Sequence, residues 1–138
     1  MAPAISPSDY GKIALVGMFE VNVRVSSLLA PDRSSEVSLL VDTGATISWI
    51  PQAVLQNRGA TPFSRLPFSL ADGRRLERDI TAVLVQIDGR KAPVDVAFGQ
   101  EGEAAVLGAT ALEGLGLMVD PVAKKLIPRD LLALSHRR

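Results

Sequence analysis

The stretch Leu39-Leu40-Val41-Asp42-Thr43-Gly44 constrains this chain more than any other, because three apolar residues run straight into an aspartate. The apolar character then resumes through Ile47, Trp49 and Ile50, ending at Pro51. A carboxylate between two core-forming segments is at least partly withdrawn from water. Ionised and unpaired there, it is costly enough to shift its protonation or find a partner. Two readings follow. Asp42 is a turn residue that accepts backbone N–H groups while Gly44 supplies the tight angle, or it is retained for chemistry. An ordinary surface turn is bordered by polar residues, and this one is not.

Side-chain counts narrow the chemistry. With 138 residues the chain is sized for one domain with a real core. Fifteen basic and fifteen acidic side chains cancel, so no net field draws it to nucleic acid or an anionic membrane. Cysteine is absent, which removes disulfides, thiolate metal sites and a thiol nucleophile, and suits a cytoplasmic location. The one histidine, His136, lies three residues from the end in Ser-His-Arg-Arg, a poor place for a triad or a metal site. Residues 13–19 are apolar but too short to span a bilayer, and no signal peptide is apparent. An enzyme built on this chain would rest on carboxylates.

Residues 1–14 read as a loose lead-in and 129–138 as a tail, around one domain at 15–128. From Phe19 a period of two places Phe19, Val21, Val23 and Val25 on one strand face, and a second strand rises into Asp42. Asp72-Gly73 and Asp88-Gly89 each predict a hairpin, since both central residues of the favoured turn need positive φ. Val94, Val96 and Phe98 again alternate. Thr110 and Glu113 have capping-box spacing before Gly114 and Gly116, which predicts one short helix near 110–115. A last hairpin is expected to turn at Asp120-Pro121. The expected fold is mainly β, a small barrel or sandwich with one short helix.

Residues 39–51 resemble the active-site loop of the retropepsin-like aspartic proteases, whose signature is apolar-apolar-Asp-Thr-Gly-Ala. Ala-Val-Leu-Gly at 105–108, followed by a short helix, is similar to that family's second signature, and residues 69–76 occupy the place of its flap hairpin. The likeness covers about residues 15–128 and is nearest the cellular, bacterial-type members. It implies a small closed barrel with its active site at a homodimer interface, because the chemistry needs two Asp-Thr-Gly loops and this chain has one. Asp42 would then be catalytic, one copy per chain activating a water between them, with no cofactor. Thr43 would bond the partner loop, Gly44 would admit the substrate backbone, and Ala45 would sit beneath without crowding. Val106, Leu107 and Gly108 would back the loop, and Leu70, Ala71, Asp72 and Gly73 would close over a peptide or protein substrate. Candidate dimer contacts are Ile13–Val16, Thr43 and Lys124–Pro128, with Leu131, Leu132 and Leu134 as a further apolar strip.

Two departures from the retroviral pattern stand out. Thr46 replaces a usual acidic residue, and the hairpin tip has a single glycine with Arg74 and Arg75 behind it. Both arginines read as solvated charges, and Trp49 as a core or interface residue. Two other functions fit the same residues: a protease-fold dimerisation or peptide-binding module without turnover, and a monomeric β-barrel interaction domain with Asp42 as a turn residue.

Overall fold

A computed structural model describes residues 18–70, 72–131 and 133. The lead-in, the Ile13–Val16 segment, Ala71, Leu132, Leu134 and His136 lie outside the described residues. The strands are β1 (Glu20–Ser26), β2 (Ser34–Val41), β3 (Ser48–Pro51), β4 (Ser64–Ser69), β5 (Arg75–Ile87), β6 (Arg90–Gly99), β7 (Val106–Leu107), β8 (Leu117–Asp120) and β9 (Lys125–Pro128). Among the described residues two short helices join them, α1 (Gln52–Asn57) and α2 (Ala109–Leu115). The second is the helix that the sequence predicts. The first has one buried residue, Leu55, in six, too little periodicity to read from sequence.

Seven strands pair in the order β1-β2-β7-β3-β6-β5-β4. β1 also pairs with β5 (Arg24↔Gln86, Val25↔Val85, Ser26↔Leu84), so six strands close into a small barrel with no free edge, and β4 hangs outside it on β5. β5 makes this possible by its length of thirteen residues. Its second half pairs with β6 and alternates buried and half-buried residues, while its first half, exposed to half-buried, pairs with β4 and leaves the barrel as a hairpin.

The run Leu39-Leu40-Val41 is apolar on both faces because both faces are covered. Successive residues of a strand point to opposite sides. Leu39 and Val41 enter the main core with Val23, Ile50, Val85 and Leu107. Leu40 enters a second cluster with Ala45, Trp49, Ile80, Ala97 and Val106. The neighbouring strands split the same way: Trp49 and Val106 face the second cluster, Ile50 and Leu107 the first. Strands buried on both sides read as continuous apolar runs.

The turns follow local chemistry in two cases and depart from expectation in one. Asp88 (φ 48°) and Gly89 (φ 82°) are both left-handed, a two-residue turn between the paired Ile87 and Arg90. At the β8–β9 turn, Asp120 Oδ1 accepts the N–H groups of Val122 at 3.1 Å and Ala123 at 3.0 Å. At the β4–β5 turn Gly73 alone is left-handed (φ 89°) and Asp72 is not. There Leu70 N–H donates to the Arg74 carbonyl at 2.8 Å, and Gly73 N–H to the Leu70 carbonyl at 3.0 Å. The loop is therefore longer than two residues and needs one positive φ, at the glycine.

Candidate active site

Asp42 ends β2 and opens a six-residue loop to β3. Its own N–H donates to the Leu107 carbonyl at 3.0 Å, continuing the parallel pairing of β2 with β7. The carboxylate is half-buried. Its Oδ1 accepts the Gly44 N–H at 2.8 Å, and among the described residues Oδ2 has no hydrogen-bond partner. One carboxylate oxygen is thus fixed by the backbone two residues on. Thr43 and Gly44 are exposed beside it, while Ala45 is 1% exposed beneath. A Cβ on Gly44 would lie 3.1 Å from Asp42 Oδ1, so a side chain there would crowd the carboxylate.

The loop is held from behind by the start of α2. Ala109 N–H donates to the Ala45 carbonyl at 2.7 Å, and Thr110 N–H to the Thr46 carbonyl at 3.2 Å. Gly108 N–H donates to Ser48 Oγ at 2.9 Å. The first N–H groups of a helix have no partner inside it, and here the loop and Ser48 serve them. The predicted capping box is therefore not used: Gly108 is the N-cap, with no side-chain cap, and Thr110 lies inside the helix. Gly108 is required by space, because a Cβ there would lie 2.6 Å from the Ala45 carbonyl oxygen and 3.1 Å from the Ile47 carbonyl carbon. Gly108→Ala is expected to destabilise the fold by about 1–3 kcal/mol, the usual cost of overpacking. Chemical denaturation measures it, and an unchanged midpoint would show that the loop yields.

A cavity of about 420 Å³ opens at Asp42 and Thr43, walled by Met18, Val41, Met118 and Val119. A second, about 300 Å³, lies between the same loop and β4, lined by Ala45, Ile47, Trp49, Leu66 and Phe68. Neither includes Leu70, Asp72 or Gly73, which form the far end of the β4–β5 hairpin. The residues that sequence reasoning missed are Ser48, Leu66 and Phe68. Strand alternation could have paired Leu66 with Phe68. Nothing local marks Ser48.

The hairpin is braced by charges. Arg65 on β4 meets Glu77 at 3.0 Å and Asp79 at 2.9 Å on β5, exposed pairs that contribute little each. Glu77 first, then Asp79, holds its guanidinium above the usual range. At the tip Asp72 accepts the Arg74 N–H at 3.0 Å and its Nε at 2.6 Å. The backbone bond first, then the side chain, holds the Asp72 carboxyl below the usual aspartate range. A depressed carboxyl stabilises above its unfolded-state pKa, and the contribution fades as pH falls through the folded-state one. Arg74 is thus a partner of the tip rather than a free charge. Among the described residues, no group of three or more His, Cys, Asp or Glu is placed to hold a metal, and no helix is long and apolar enough to cross a membrane.

The closed, mainly β barrel has the fold of the retroviral proteases. The fold is similar to the solution structure of simian foamy virus (mac) protease, with TM-score 0.50 and 17% identity over 69% of this chain and 92% of that one. It is also similar to EIAV protease complexed with the inhibitor HBY-793, with TM-score 0.54 and 19% identity over 71% and 88%. Residues 33–114, more than half of the chain, match the family described as "gag-polyprotein putative aspartyl protease", and the chain belongs to that family. Among curated proteins none matches.

Proposed function

We propose that the chain is an aspartic endopeptidase that acts as a homodimer on extended peptides. The observation that carries this is the Asp42 carboxylate: one oxygen fixed by Gly44, the other without a partner among the described residues, at the mouth of a cavity on a loop braced by Leu107 and α2. A single carboxylate cannot be base and acid in one step. Two Asp42 side chains facing each other across a two-fold axis supply both roles.

In that arrangement like charges a few ångströms apart cannot both ionise, and the pair shares one proton. The ionised Asp42 takes a proton from a water lodged between them, and the water oxygen bonds to the scissile carbonyl carbon. The protonated Asp42 donates to the carbonyl oxygen as the tetrahedral intermediate forms. The first then passes its proton to the amide nitrogen as the C–N bond breaks, and the second takes a proton back from a hydroxyl of the intermediate as the new carboxyl C=O forms, which restores the singly protonated pair. Thr43, exposed beside Asp42, bonds the partner's loop through its hydroxyl. The β4–β5 hairpin acts as a flap that closes over the peptide and excludes water. Ala71 is assigned to it with Leu70, Asp72 and Gly73.

The bond from Gly44 is also what an ordinary turn aspartate makes. It supports a second reading, a protease-fold module that dimerises or binds peptides without turnover. Incubation with a denatured-protein library from acidic to neutral pH, read by mass spectrometry, separates them. New termini made by the wild-type chain support the enzyme; none at any pH or concentration favours the module.

The flap assignment carries its own prediction. Gly73 adopts φ 89°, and a Cβ there would meet nothing within 4 Å. The cost of Gly73→Val is thus confined to the backbone, about 1–2 kcal/mol at an exposed tip. Peptide cleavage is expected to fall several-fold more than this stability loss accounts for, as measured by kcat/KM beside thermal melting. Parallel loss of both would make the hairpin a structural element only.

A further inference from the structure

Trp49 is the only tryptophan in the chain, and it lines the cavity between the Asp42 loop and β4. The side chain is 1% exposed, and its Nε1–H is buried with no hydrogen-bond partner among the described residues. A buried indole usually fixes its orientation through that N–H. This one is held by other contacts. Phe68 on β4 meets it edge-on, with centroids 4.9 Å apart at 64°, and the Arg78 guanidinium on β5 lies over the ring at 5.8 Å from its centroid.

Arg78 is itself gripped. Its Nε donates to Glu103 Oε1 at 3.1 Å, and its Nη2 donates to the other carboxylate oxygen, a two-point pair. Nη1 donates to the Glu77 carbonyl at 2.6 Å. Glu103 Oε1 also accepts the Gln100 N–H at 2.7 Å, which anchors the acid to the loop between β6 and β7. The side chains are only 12% and 20% exposed, so the pair is far less screened than the Arg65 bridges. The same loop leads into β7, where the Ala105 and Leu107 carbonyls hold the N–H groups of Leu40 and Asp42. Arg78 therefore joins the base of the hairpin, the Trp49 ring and the strand behind Asp42.

We propose that Arg78, fixed by Glu103, is a positioning residue for substrate binding: it holds Trp49 as a wall of the cavity lined by Ala45, Ile47, Leu66 and Phe68, shaping it for one apolar side chain of an extended peptide. The proposal rests on the protease reading above. Among the described residues no charged side chain lines the cavity, and each methylene buried there favours binding by about fourfold. With Arg78 removed, the ring keeps Phe68 and the apolar neighbours of its cluster, among them Leu40, Ile80 and Val106, but loses the cation held over its face, and its tilt toward the cavity is less tightly set.

The test uses the whole 138-residue chain and a peptide library randomised at one position at a time around the cleaved bond. Cleavage is read as kcat/KM in the wild-type background. Binding is read from Trp49 fluorescence in an Asp42→Asn background, so that it does not depend on turnover. At one position the wild-type chain is expected to favour Leu over Ala by about tenfold or more. Arg78→Met should reduce that ratio to within about threefold, mainly through KM, and shift the Trp49 emission. Arg78→Lys, which keeps the charge but not the planar two-point grip, should recover only part of the ratio, and it serves if the Met variant does not fold. An unchanged Leu-to-Ala ratio in the variants, or equal loss on both peptides, would overturn the proposal and leave Arg78 a structural residue. Cleavage by the wild type with no apolar preference at any position would overturn it while leaving the protease reading standing. Absence of both cleavage and binding would remove both together.

Discussion

Asp42→Asn is expected to abolish peptide cleavage, by roughly 10⁴-fold or more, while the chain keeps its fold and its assembly. The magnitude follows from the roles removed. General acid and general base catalysis contribute about 10²–10⁴-fold each, and a homodimer that carries the substitution twice loses both. The fold should survive because asparagine is nearly isosteric and its carbonyl oxygen accepts the same Gly44 N–H that Asp42 Oδ1 accepts at 2.8 Å. The wild-type rate should be bell-shaped in pH. At low pH both carboxyls are protonated and the base is lost; at high pH both ionise and the acid is lost. A statine-type analogue of the tetrahedral intermediate should inhibit. Full cleavage by the asparagine variant, with melting and sedimentation unchanged, would refute the mechanism.

Specific activity is expected to fall on dilution, and the drop per tenfold step should approach about tenfold well below the dimer dissociation constant. Each chain carries one Asp-Thr-Gly loop, and Thr43 stands exposed beside the half-buried Asp42. Met118, 44% exposed, and Val119 wall the cavity at Asp42. Those residues belong to β8, which with β9 forms a two-stranded sheet separate from the barrel. Lys124–Pro128 lies in that hairpin, whereas Leu131 is 66% exposed beyond it. Thr43→Val keeps the shape and removes the hydroxyl. Two symmetry-related bonds would be lost, about 1–3 kcal/mol together, which raises the dissociation constant on the order of tenfold or more. Sedimentation across a dilution series, set beside activity, decides the question. A chain that cleaves while monomeric at every concentration would refute the dimer. A stable monomer without activity would favour the binding module.

Much of the fold was legible because it is written in short-range chemistry. Period-two alternation marked β1 and β6, Asp-Gly dipeptides marked two hairpins, and Asp120-Pro121 marked the third. The apolar approach to Asp42 marked a strand, and β2 lies there; that its last three residues are covered on both faces was decided by the fold. The helix after Gly108 was predicted in the right place for a reason that did not apply. Its N-terminus is served by Ser48, sixty residues away in sequence, and by the carbonyls of the Asp42 loop.

By itself the sequence determined the local elements and the presence of one acidic loop per chain, since turn chemistry and side-chain periodicity act over a few residues. Only the tertiary structure decided which distant groups meet. Closure of β1 on β5 made the barrel, α1 formed over a single buried leucine, and Arg78 reached Glu103, twenty-five residues on, across the face of Trp49. Such contacts have no periodic trace in the chain, because their partners are chosen by the packing of strands and not by neighbours in sequence. Arg78 and Glu103 each look like a solvated charge until the fold draws both out of water and sets them against each other.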